Sequence, residues 1–316
     1  MTGVEQRRSG RGGRGRPGEV SLVPEMAPTS YYGRPVLKGP IWEPEIAVYF
    51  FSGGLAGASA MLAAAARAQG NDVLARRALF TSFAGVAVSP VLLIMDLGMP
   101  QRFYNMLRVV KPTSPMNIGT WILTAAGGAT GAATACEVLG ILPRVRRVAE
   151  VAAALLGPPL ATYTAVLLAD TAVPAWHEAR RQLPFVFAGS SLASAGAMAV
   201  VLTPPQHATM ARRLGVGGVA LELGAAQVLE RTLPAEAVEP YHLGQSGRFG
   251  RVARTLSTAG AAAVALGGRR RPVAVAGGLA ILAGSMCERW SVFRAGRVSA
   301  ADPRYTVAPQ RRRISR

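Results

Sequence analysis

"PVLLIMDLGMPQRFYNMLRVVKPTSPMNIGTW", Pro90 to Trp121, opens as an apolar run and then sets Asp96, Arg102, Arg108 and Lys111 among prolines and glycines. A run that apolar dissolves in lipid, and charge gathered at its end marks where the chain leaves the hydrocarbon. The same alternation continues outward in both directions. Half of the 316 residues are hydrophobic, only 16% are charged and the mean hydropathy is positive, a balance foreign to soluble globular proteins of this size. With about 20 residues per bilayer crossing, eight segments qualify: 45–68, 77–98, 117–140, 148–170, 184–203, 209–230, 252–268 and 272–292. Each is expected to be helical, because backbone exposed to lipid must satisfy its own hydrogen bonds. The expected fold is all-α, a polytopic transmembrane helix bundle of about eight spans. Seven is the competing count, since the sixth segment holds Arg212, Arg213 and Glu222 and the seventh is short.

Residues 1–30 mix Gly, Arg and Pro with few apolar side chains and read as a disordered basic tail. Residues 31–294 read as the bundle and 295–316 as a second basic tail. Arg7 and Arg8 are followed by Ser-Gly-Arg-Gly-Gly and not by an apolar h-region, so the first apolar run is expected to stay in the mature chain. The formal charge of +18 comes almost wholly from arginine, Lys38 and Lys111 being the only lysines. Arginines in the loops divide almost evenly between the two faces, so the tails decide. Arg7 through Lys38 at one end, and the run from Arg289 to Arg316 at the other, predict a multi-pass cell-membrane protein with both termini cytoplasmic if the span count is even. Nucleic acid is disfavoured as a partner and membrane lipid favoured, because the basic residues are not interleaved with stacking aromatics. Gly157-Pro158-Pro159 predicts a kink in the fourth span. Gly53 with Gly57, and Gly127 with Gly131, predict close helix crossings.

Cys136 and Cys287 fall inside apolar segments without metal-ligand spacing, and His177, His207 and His242 fall between apolar runs. No pair of histidines is placed to clamp a haem from two facing helices, so neither haem nor metal is expected in this chain. Asp96 ends the second span, and Arg102, six residues on, can turn back toward it. One reading is a helix-end ion pair that fixes the loop. The other is a proton-handling carboxylate beside a redox-active ligand such as a quinone headgroup, with Asp96 and Arg102 as the catalytic pair. Trp42, Glu43 and Tyr49 lie just upstream of or within the first span; they read either as an interfacial aromatic belt or, with Asp96, as the wall of a quinone cleft. Glu137 and Glu222 are the deepest acids and read as a proton path or as partners of nearby arginines.

Three blocks carry a resemblance: "SYYGRPVLKGPIWEPEIAVYFFSGGLAGAS" (Ser30–Ser59), "DLGMPQRFYNMLRVVKPTSPMNIGTWIL" (Asp96–Leu123) and "RAGRVSAADPRYTVAPQRRR" (Arg294–Arg313). Together they resemble the NrfD/polysulfide-reductase membrane-subunit family, in its actinobacterial branch. The middle of the chain is similar mainly in hydropathy. The resemblance implies an eight-helix subunit that binds menaquinone or menaquinol without haem and exchanges electrons with a ferredoxin-like iron-sulfur subunit, itself docked to a molybdopterin oxidoreductase. It places Asp96 and Arg102 near the quinone. Two other classes stay open on the residues alone: a secondary transporter or ion channel using Glu137, Glu222 and the kinked fourth helix, and a purely structural membrane anchor.

Overall fold

Short turns cut the apolar sequence into helices. After α1 (Pro44–Ala68), Gly70 adopts a left-handed conformation (φ 73°) and the Asn71 side chain accepts from the Leu74 backbone N–H at 3.2 Å, capping α2 (Asp72–Asp96). The region after α2 is a 3₁₀ turn (Pro100–Arg102) and the short α3 (Asn105–Arg108), before α4 (Pro115–Leu139), α5 (Pro143–Ala169) and the short α6 (Pro174–Glu178). Then come α7 (Leu183–Leu202), α8 (Thr209–Thr232), the short α9 (Ala235–His242), α10 (Gly244–Gly267) and α11 (Arg271–Ala301). Proline stands in the first turn of α4, α5, α7 and α11, where its missing N–H has no intrahelical role. This computed structural model describes Leu37, Gly39, Trp42 and residues 44–97 and 99–307. The tail expected at 1–30, Glu43, and the last nine positions, 308–316, lie outside the described residues.

The described residues form no strand, and eight of their helices have 20 residues or more. They follow the eight apolar segments of the sequence. Five of them, α1, α2, α4, α5 and α7, are both long and apolar enough to cross a membrane. Arg212, Arg213, Glu222 and Glu230 in α8, Arg248, Arg251 and Arg254 in α10, and Glu288, Arg289, Arg294 and Arg297 in α11 set the remaining three apart. α11 also continues past Arg294 to Ala301, beyond the expected end of the bundle. Pro158 and Pro159 sit inside α5, which remains one helix from Pro143 to Ala169.

Packing divides the long helices into two rings of four. In the first, α1 packs on α2, α2 on α4, α4 on α5 and α5 back on α1; in the second, α7, α8, α10 and α11 close in the same order. The rings meet where α7 lies against α1, α2 and α5 and α11 lies against α1. Small residues allow the crossings: a Cβ on Gly57 would stand 2.5 Å from the Gly157 carbonyl oxygen, so α1 and α5 touch backbone to backbone.

Ionic ties close one end of the first ring. Arg67 at the end of α1 reaches Asp72 (2.8 Å), Glu137 (3.0 Å) and Glu150 (2.8 Å), and Arg146 is bound to Glu137 as well. Glu137, read from the sequence as part of a proton path or as a partner of nearby arginines, is held at this end by Arg67 and Arg146, with Arg76 at 3.9 Å. At the same end the Asn71 amide donates to the His207 carbonyl at 2.8 Å, and Arg271 donates to the Val200 (3.0 Å) and Thr203 (2.8 Å) carbonyls, tying the second ring alongside. Successive long helices thus run antiparallel, and the opposite end gathers the starts of α1, α4, α7 and α10.

Candidate functional site

At that opposite end of the first ring, Trp42, Tyr49, Leu93, Asp96, Met116 and Tyr163 line a cleft. Its walls come from four elements that the sequence keeps apart. Tyr49 and Tyr163 are 3% and 8% exposed, with their rings 6.4 Å apart and inclined at 66°. The free volume is about 40 Å³, room for about three waters. The Tyr163 hydroxyl is buried and makes no hydrogen bond within the protein. A buried phenol without a partner costs free energy unless something in the cleft accepts from it. Asp96, the last residue of α2, brings a half-buried carboxylate to the same opening.

Gly119 explains why Tyr163 lies where it does. A Cβ there would collide with the Tyr163 ring, so the glycine in "PMNIGTW" is the seat for that side chain. Two residues earlier, Asn117 clamps the loop: its amide donates to the carbonyls of Met106 (3.2 Å) and Val109 (2.7 Å), and its oxygen accepts from the Lys111 N–H at 2.6 Å. The mouth of the cleft is braced from the other ring. Trp42 stacks on the fully buried Trp176 (centroids 5.7 Å apart, 20° between planes), and the Trp176 indole N–H donates to the Val292 carbonyl at 2.8 Å. A Cβ on Gly296 would run into the Trp176 ring. Residues from all three distinctive sequence blocks, Trp42, Asp96 with Gly119, and Gly296, therefore converge on one end of the molecule.

The structure brings together Trp42, Tyr49 and Asp96 of the sequence-derived site and separates Arg102, Glu137 and Glu222 from them. Arg102 is exposed on its 3₁₀ turn, outside the cleft lining, and Glu137 lies in the Arg67 cluster at the far end. Glu222 belongs to a second cavity, of about 60 Å³, inside the second ring, together with Glu288, Glu230, Tyr241 and Arg254. Glu222 is 2% exposed, and one carboxylate oxygen of Glu222 and one of Glu288 are buried without a hydrogen bond. At the cavity's outer edge Arg254 and His242 approach Glu230 at 3.3 and 3.5 Å. Burial, then the Glu288 carboxylate, push the Tyr241 phenol above the ordinary tyrosine range, so it stays protonated and donates to the Ala175 carbonyl at 3.0 Å. Arg289 is a correction to the sequence reading. Counted there with the C-terminal charges, it is 1% exposed, lies over the Phe187 ring at 3.7 Å and donates to the Phe187 carbonyl (2.9 Å) and the Ser191 hydroxyl (3.1 Å).

The sequence model of the family described as Polysulphide reductase, NrfD, matches residues 36–213, more than half of the chain. The chain belongs to the NrfD polysulphide reductase family. No curated protein matches it. The NrfD match takes in the whole first ring, the cleft and the Arg67 cluster, and ends within the first turns of α8. It makes this a membrane protein with several apolar helices, consistent with a membrane subunit of a reductase complex. Among the described residues, no group of three or more His, Cys, Asp or Glu is placed to hold a metal ion. Sequence reasoning missed Tyr163, which left a faint signal as the only aromatic in α5. Glu288 was visible as an acid near a span end, but its pairing with Glu222 left no signal, because it exists only once α8 and α11 are folded together.

Proposed function

We propose that this chain crosses the membrane eight times and is the quinone-binding subunit of an oxidoreductase complex, passing electrons between menaquinol and a ferredoxin-like iron-sulfur subunit docked to a molybdopterin oxidoreductase. The observation that carries the reading is the cleft: aromatic walls, a buried Tyr163 hydroxyl with no protein partner, and the Asp96 carboxylate at the membrane-boundary end of α2. Such a lining fits a flat ring with oxygens at its edge. At about 40 Å³ the cleft admits a bicyclic ring only if a wall moves, and Met116, flexible and 43% exposed, is the wall best able to do so.

Bound menaquinol supplies two electrons and two protons. Trp42 and Tyr49 would hold the ring, and the Tyr163 hydroxyl would donate to one of its oxygens. The Asp96 carboxylate would accept the two protons in turn and return each to water through the polar loop that follows. Arg102, Arg108 and Lys111 offer a cationic surface to an acidic partner. Glu222 with Glu288 offers a second place where a proton is held, whereas Glu137, neutralised by Arg67 and Arg146, serves the fold. Trp42 and Tyr305, near the two ends of the described chain, share the cleft end, and the arginine-rich tails assign that face to the cytoplasm.

Asp96→Asn keeps the shape and removes the charge. In the purified native complex it should abolish quinol-linked electron transfer while leaving subunit assembly intact; wild-type turnover would discard the proton role. A second reading, ion translocation through the second ring, is favoured by the buried Glu222 and Glu288 carboxylates around its cavity, each with one oxygen that accepts no hydrogen bond. It requires the isolated chain in liposomes to conduct protons without quinol.

A further inference from the structure

A cavity larger than these two lies far from the cleft, at the end that carries the Arg67 cluster. It is an open groove of about 730 Å³ between the start of α8 and the end of α10, with Arg212, Arg213 and Arg269 on its polar side and Val216, Ala265 and Leu266 on its apolar side. That volume is typical of ligand sites. No acidic residue lines it. Arg212 is committed to the protein: it donates to the carbonyls of Pro205 (2.9 Å) and Gly268 (3.3 Å) and to the Thr209 hydroxyl (2.9 Å). None of these partners neutralises its charge. Arg213 and Arg269 are exposed and have neither hydrogen bond nor ion pair among the described residues. Beside them Leu266, 91% exposed, extends from the last turn of α10.

We propose that this groove binds one anionic glycerophospholipid, its phosphate held by Arg213 and Arg269 and one acyl chain lying along Val216, Ala265 and Leu266. Three uncompensated guanidinium groups call for an anion, and arginine meets phosphate through paired donors. The adjoining apolar strip, at a helix end where hydrocarbon gives way to headgroups, selects an anion that carries a tail over a soluble one. Membrane arginines add affinity for anionic lipid at about fivefold each, so two set a clear preference over a zwitterionic lipid of the same chains.

The full chain, purified and delipidated, is measured by native mass spectrometry and thermal unfolding with phosphatidylglycerol, with phosphatidylcholine of identical chains, and with glycerol 3-phosphate. Phosphatidylglycerol should remain bound at one per chain and raise the unfolding temperature, and the other two should not. Arg213→Gln with Arg269→Gln should weaken retention roughly thirtyfold, Arg213→Lys with Arg269→Lys should keep most of it, and Arg180→Gln with Arg181→Gln, the same charge loss at the opposite end, should change nothing. Equal binding of both phospholipids, an equal effect of glycerol 3-phosphate, full retention by the double glutamine variant, or an acidic protein segment covering Arg213 and Arg269 in the native complex would each overturn the proposal.

Discussion

Tyr163 is held by what it lacks. Its ring is fixed between Gly119 and Tyr49, yet its hydroxyl finds no acceptor in the protein. Tyr163→Phe therefore removes no internal hydrogen bond, and unfolding temperature should stay level or rise slightly. Quinol-linked kcat/KM should fall about fivefold, the worth of one hydrogen bond of about 1 kcal/mol. Gly119→Ala should act the other way round. The new methyl group pushes the Tyr163 ring into the cleft, destabilising the protein by about 1–3 kcal/mol and raising KM for quinol more than it lowers kcat. Should both variants change stability and kinetics in parallel, Tyr163 is a packing residue and no more.

At the scale of helices, the first ring is fastened at its two ends by different means. One end is ionic, with Arg67 of α1 reaching α2, α4 and α5 through Asp72, Glu137 and Glu150. The other end is aromatic, through Trp42, Trp176 and Tyr163 around the cleft. Asp72 is largely exposed and its pair with Arg67 adds little. Glu137 and Glu150 are nearly buried, and deleting the cation between them leaves charge with too few partners. Arg67→Ala should cost roughly 3–5 kcal/mol, read as a lower unfolding temperature, with the cleft's quinol kinetics unchanged in the protein that remains folded. A selective loss of turnover at wild-type stability would instead return Glu137 to a proton path.

Over the whole molecule, alternation of eight long helices has a topological consequence. Turns at Gln69 and Gln206 belong to one face, and those at Thr171 and Pro234 to the other. Single cysteines at these positions, in a chain with Cys136 and Cys287 replaced, should split two and two when labelled with an impermeant thiol reagent in intact cells. Labelling of Pro234 on the same face as Gln206 would remove α8 from the bilayer. These three carry more charge than α1, α2, α4, α5 and α7, and the second ring buries part of it: Glu222 and Arg289 face inward, so lipid need not meet them.

The sequence by itself determined the helices and their approximate ends, because hydropathy and the punctuation of Gly70, Asn71, Gly140 and the first-turn prolines are local properties of the chain. It also determined the family, and it marked Trp42, Tyr49 and Asp96 as belonging together. Only the tertiary structure decided which polar groups share an environment. Glu137 and Glu222 look alike in sequence, each an acid within an apolar run; packing gives the first three arginines and leaves an oxygen of the second bare beside Glu288. The repeated ring order, the seat of Tyr163 on Gly119 and the burial of Arg289 depend on contacts between residues far apart in the chain, and no local pattern encodes which distant helix will supply the neighbour.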